Sequence, residues 1–120
     1  MLAIDTNGNI RVNRGDVFQM PLFIDISTNL FYSMRFKFHE GDILQFHIME
    51  PNQPFSKALI KKEFTIDDLN EYGDILINFD HEDTCWMIPN TYFYEVKLIR
   101  TVEEEKKVIT IVSRRKFVIQ

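Results

Sequence analysis

Apolar and polar residues alternate with a period of two along most of this chain, and that period predicts β-strands with one buried face. In "VFQMPLFIDI", Phe18, Met20, Leu22, Ile24 and Ile26 share one face, while Val17, Gln19, Pro21, Phe23 and Asp25 share the other. Pro21 lacks a ladder donor, so this strand is expected at a sheet edge or with a bulge. "LFYSMRFKF" sets Tyr32, Met34, Phe36 and Phe38 against Phe31, Ser33, Arg35 and Lys37, and "ILQFHIM" sets Leu44, Phe46 and Ile48 against Gln45 and His47. The short connections "STN" and "HEGD" favour antiparallel neighbours. "LIKKEFTI" places Ile60, Phe64 and Ile66 together, "ILINF" follows, and "YFYEVKLI" turns Tyr92, Tyr94, Val96 and Leu98 inward with Glu95 and Lys97 outward. "KVITIV" and a closing "KFVI" come after the polar hairpin tip "VEEEKK", and at the other end "LAID" and "NIRV" flank an Asn-Gly suited to a tight turn.

These segments predict an all-β fold, an antiparallel immunoglobulin-like β-sandwich of about seven to nine strands forming one domain over residues 1–120. No long stretch keeps the i, i+3, i+4, i+7 apolar stripe of an amphipathic helix. "TIDDLNEY" and "DHEDTCWM" can each form a turn or two, the latter near residues 81–88 with Asp83 or Thr84 as its cap. That turn is expected to cross from one sheet to the other.

Three Gly-Asp pairs stand before apolar runs: Gly15-Asp16, Gly41-Asp42 and Gly73-Asp74. Their unequal spacing and different surroundings argue against a repeat. They read as strand punctuation, each glycine supplying a positive φ and each aspartate bonding a nearby backbone N–H. The adhesion reading of Arg14-Gly15-Asp16 weakens accordingly, because the two sister pairs do without the arginine.

Composition adds limits rather than a function. Eleven phenylalanines against one tryptophan suit pleated, half-buried surfaces. A net charge of −4 opposes sequence-independent nucleic-acid binding, and Arg114-Arg115-Lys116 reads as a solvated turn or a charged partner contact. Cys85, the single cysteine, excludes an intrachain disulfide and reads as a small core hydrophobe. The N-terminus carries no export-signal pattern, and no apolar run approaches the length of a membrane span, so neither membrane nor nucleic acid is an expected partner.

Catalytic constellations are thin. No Gly-x-Ser-x-Gly, phosphate loop, His-Glu-x-x-His or Cys-x-x-Cys is present, and His39, His47 and His81 have no mutual ligand spacing. His47 is expected on an outer strand face as a surface or interface residue. The oxygen-rich run Asp80–Thr84 lacks the EF-hand pattern and is better read as capping than as a calcium site. "RTVEEEKK" reads as a solvated loop, and Phe31, Tyr32 and Tyr72 as core rather than a sugar-binding platform. No enzyme activity, metal or cofactor is expected.

"IPNTYFYEV" sharpens the fold. A turn-forming Pro89-Asn90 precedes Tyr92 at the head of a strand, where the sixth strand of an immunoglobulin-like sandwich carries a tyrosine bonded back to the loop. Tyr94 then stands where antibody domains place a disulfide cysteine. Both tyrosines also fit a plainer role as cross-strand aromatics. Taken with the Gly-Asp starts, Asp83-Thr84, Pro89, Tyr92, Tyr94 and the terminal Phe117-Val118-Ile119, the chain resembles small Ig-like β-sandwich virion proteins of tailed bacteriophages. That group includes baseplate upper protein N-terminal domains and capsid decoration or head-fibre modules. Asn90 stands where glycine is commoner in that group, and Val17 where threonine is. The resemblance implies a non-enzymatic virion part, an auxiliary protein on the capsid or a tail baseplate adaptor, assembled in the host cytoplasm. Its implied partners are other virion proteins and further copies of itself; a glycan- or cell-surface-binding sandwich is the alternative.

Overall fold

The alternation seen in the sequence is realised as strands wherever one face can be buried. A computed structural model describes residues 2–22, 38–71 and 74–120. "LFYSMRFKF" up to Lys37, the sugar-platform residues Phe31, Tyr32 and Tyr72, and Gly73 lie outside the described residues. The chain is mostly β, with two sheets. Its strands are β1 (Ala3–Ile4), β2 (Ile10–Val12), β3 (Phe18–Leu22), β4 (Ile43–Met49), β5 (Ile60–Phe64), β6 (Ile75–Phe79), β7 (Asn90–Val102) and β8 (Glu105–Ile119). One helical turn, α1 (His81–Thr84), joins β6 to β7 and so crosses between the sheets.

The larger sheet has the order β1-β2-β8-β7-β4-β5, and the smaller pairs β3 with β6. Every pairing is antiparallel except β2 with β8, where Ile10, Arg11 and Val12 run parallel to Phe117, Val118 and Ile119. The expectation of a purely antiparallel sandwich is corrected there. A parallel contact joins segments more than a hundred residues apart, which no local periodicity signals. A second correction concerns "KVITIV" and "KFVI", which belong to one continuous β8; register shifts opposite Tyr94–Lys97 let it bend without breaking. Pro21 sits in β3, which among the described residues pairs only with β6, Pro21 standing opposite Leu76.

The core lies between the sheets. Phe79 of β6 stacks on Phe18 at 4.6 Å, meets Phe46 edge-on at 6.2 Å and lies 5.8 Å from Phe117, so one ring joins both layers. Leu44, Phe46 and Ile48 on β4, Ile75 and Ile77 on β6, and Tyr92 through Leu98 at alternate positions on β7 close the interior. Lys62, on the inward side of β5, runs its stem along Phe79 with Nζ 4.7 Å from the ring centroid and ends in an ion pair with Asp83 of α1 at 3.2 Å. A lysine is tolerated there because only its head must reach the polar rim.

Candidate interaction surfaces

Three polar arrangements hold the loops around this core. At the α1 corner, the Gly15 N–H donates to Thr84 Oγ1 at 2.8 Å and the His81 Nδ1–H donates to the Gly15 carbonyl at 2.9 Å. Gly15 adopts φ +78°, and a Cβ there would meet His81 Nδ1 at 2.9 Å, so this glycine is required by both backbone and space. Thr84, completely buried, is therefore not a helix cap as expected. The cap is Asp80, whose N–H donates to the Asp83 carboxylate at 2.7 Å, so Asp83 serves from the third helical position.

Asp42 anchors a second arrangement. Its carboxylate, 1% exposed, accepts from the His39 N–H at 2.8 Å and from the Arg100 guanidinium at 2.7 and 3.1 Å. Burial pushes its pKa up, but the Arg100 and His39 hydrogen bonds and the Arg100 charge outweigh that, leaving it below the usual aspartate value. The hydrogen bonds and the charge of Asp42 in turn raise Arg100. The Gly41-Asp42 pair takes the expected form: Gly41 has φ +88° and Asp42 bonds a backbone N–H before β4. Asp16 donates its N–H to the Asn13 carbonyl, and Asp74 donates its N–H to Asn70 Oδ1, so the three pairs are tied down differently.

The tyrosines form the third. The Tyr92 hydroxyl donates to the Ile88 carbonyl at 2.7 Å, fastening the α1–β7 loop to the head of β7. The Tyr94 hydroxyl donates to the Gly8 carbonyl, tying the β1–β2 turn to the same strand. Pro89 lies in the loop between, exposed.

His47 departs from expectation. It is on the outer face of β4 but only 4% exposed, because the 3-10 turn Phe55–Lys57 folds over it. Phe55 stacks on its ring at 3.9 Å, and its Nδ1–H donates to the Phe55 carbonyl at 3.1 Å. Burial holds the His47 pKa below the usual value, with Lys61 and Lys97 acting the same way against the Phe55 bond and Glu63. Cys85 is half-buried rather than part of the core.

What remains accessible is surface. No group of three or more His, Cys, Asp or Glu side chains converges for a metal among the described residues. A shallow pocket of about 340 Å³ lies against β1, β2 and β8, but its acidic member, Asp5, already accepts from Asn7 and Asn9. No helix among the described residues is long and apolar enough to cross a membrane. Among the described residues, Ile4 on β1 and Leu59 before β5 are exposed singly, and the other exposed large apolar side chains lie at the α1 corner (Val17 74%, Trp86 55%, Ile88 75%) and the β7–β8 tip (Val102 41%, Val108 61%, Ile109 38%). Arg114-Arg115-Lys116 is strand rather than turn: Arg114 reaches the Gln53 carbonyl at 2.9 Å and Glu95 at 3.6 Å, and Arg115 the Asn7 carbonyl at 3.0 Å.

The tip is where sheet pairing runs out. β4 accompanies β7 only as far as Ile99, and β2 accompanies β8 only over Phe117–Ile119, with Asn9 and Asn7 bonded to Lys116 and Arg115. Residues 105–114 of β8 thus present an unpaired edge among the described residues, and all of residues 101–110 are exposed. Sequence reasoning identified the tip as a charged hairpin but not the length of free edge beside it, which depends on how short the partner strand β2 is.

No protein-family model matches the chain, and neither the curated proteins nor the solved structures include a match to it.

Proposed function

We propose that this chain is a non-enzymatic structural protein of a bacteriophage virion, an immunoglobulin-like sandwich that works as an auxiliary or decoration module bound to the capsid. The observation that carries the reading is the placement of accessible features: exposed apolar side chains, and a long stretch of β8 with no partner on its outer side among the described residues. Such an edge is a liability in a free monomer and a natural seat for an assembly partner. The Ig-like assignment is supported by the Tyr92 hydroxyl bonded to the Ile88 carbonyl at the head of β7. It is supported further by the order β8-β7-β4 with the N-terminal β2 running parallel to the last strand. The virion role is supported by the resemblance carried by Asp83-Thr84, Pro89, Tyr92, Tyr94 and Phe117-Val118-Ile119. Quantitative mass spectrometry of purified particles from the phage encoding this chain tests it. The chain is expected at a fixed ratio to the major capsid protein, and a fixed ratio to baseplate proteins instead would move it to the tail. Its absence from particles, with millimolar or tighter glycan binding by the free protein, would replace the proposal with the glycan-binding alternative.

A further inference from the structure

The outer face of the larger sheet holds a buried titratable group that the core does not use. His47 lies on that face of β4, and Met49, two residues on, is fully buried without belonging to the cluster between the sheets. Residues 50–59 run over this side as a strap. Phe55 stacks on the His47 ring at 3.9 Å, and Lys97 Nζ stands 4.6 Å from the centroid of the Phe55 ring. Arg114 holds the Gln53 carbonyl at 2.9 Å, and the Leu59 N–H donates to the Ile48 carbonyl at 2.8 Å. None of residues 51–59 is itself fully buried, so the strap can lift with the core intact.

The closed strap favours one protonation state of the imidazole. A carbonyl only accepts, so the proton shared with the Phe55 carbonyl at 3.1 Å stands on Nδ1, and Nε2 keeps its lone pair. Nε2 is buried and meets no hydrogen-bond partner among the described residues. A second proton there would be a buried N–H without an acceptor, on a ring that had become charged. Lys61 and Glu63 face the ring from β5 and Glu95 and Lys97 from β7, while Glu50 and Lys57 are exposed on the strap. Glu95, directly across the ladder, is paired with Arg114 of β8 at 3.6 Å, and neither it nor Glu63 reaches Nε2. Burial, with the two lysines, accordingly holds the His47 pKa below its usual value.

We propose that residues 50–59 form an acid-released strap, in which protonation of His47 at Nε2 requires Phe55 to lift and uncovers the outer face of β4. Above the ordinary imidazole value of 6.5 both the closed and the open form carry neutral His47, and closure is independent of pH. Below it the open form binds a proton that the closed form does not. Opening therefore gains about tenfold per pH unit, until the lower value of the closed form is reached. The strap is independent of the virion reading and stands or falls separately from it.

Hydrogen exchange and imidazole NMR on the full chain, from about pH 7 to about pH 5, provide the test. The Lys57 and Leu59 amides, bonded to the Pro54 and Ile48 carbonyls, report on closure. Their protection, taken against the unstructured rate at each pH, is expected to fall about tenfold per unit below about pH 6.5 in wild type and to stay constant in His47→Gln. His47 is expected to titrate below its usual range in wild type and near it in Phe55→Ala, where the strap has lost its fastening. Strap protection as indifferent to pH in wild type as in His47→Gln overturns the proposal. So does a fall that His47→Gln retains, which assigns it to other groups such as His39 or His81, and so does a His47 that titrates at the same pH in wild type and Phe55→Ala.

Discussion

The two ends of the β7–β8 hairpin are built of the same kind of strand and put to opposite uses. At its base, Tyr92, Tyr94, Val96 and Leu98 face Val112 and Phe117 inside the core, with β4 and β2 completing the sheet on either side. At its tip, the same alternation continues through Arg100, Val102, Lys107 and Ile109 with no ladder neighbour outside the hairpin among the described residues. Alternation makes a strand, but only a covering layer makes that strand stabilising. The tip therefore contributes little to folding and is free to carry charge and apolar surface for something else.

Substitutions at the two ends should separate these roles, the largest effect coming from the core. Phe79→Ala removes the ring shared by Phe18, Phe46 and Phe117 and should cost about 3–5 kcal/mol in denaturant unfolding. Val108→Ala at the tip should fall within about 0.5 kcal/mol of wild type.

Asp42 sits at the junction between the two regions, reaching from the β4 turn to Arg100. Asp42→Asn should cost about 3 kcal/mol at neutral pH, because it leaves the guanidinium without its buried counter-charge. The folded pKa of Asp42 lies below the unfolded value of 3.8. Its contribution is thus fully present above that value and lost as pH falls through the lower folded one. The stability gap between wild type and Asp42→Asn should be constant at neutral pH and close in acid, which urea unfolding in parallel at both ends of that range would show. Thr84→Val at the α1 corner should cost about 1–3 kcal/mol by leaving the Gly15 N–H unsatisfied, read from the same unfolding curves. One substitution has the opposite sign. Replacing Glu103-Glu104, which hold φ +52° and +68°, by Asn-Gly should raise stability by up to about 1 kcal/mol in the same unfolding curves.

The residues explain why some of this was legible in the sequence. β4 and β7 have one face against the core and neighbours on both sides, so their alternation maps directly onto burial at Leu44, Phe46 and Ile48 and at Tyr92 through Leu98. His47 obeyed the same alternation yet is buried, because a separate 3-10 turn carries Phe55 over the outer face. Nothing within "ILQFHIM" encodes that cover. The capping run Asp80–Thr84 was recognisable as such, but its assignment turned on a contact with Gly15, far away in the chain. The free edge of β8 was hidden for a similar reason: it is defined by where β2 stops.

Hydrogen–deuterium exchange followed by mass spectrometry tests the division between base and tip most directly. Amides of Tyr92–Leu98 and Phe117–Ile119 should be protected at the level of global unfolding. Amides of Glu105–Thr110, all exposed, should exchange markedly faster than these. Tip protection equal to that of the base would contradict the account.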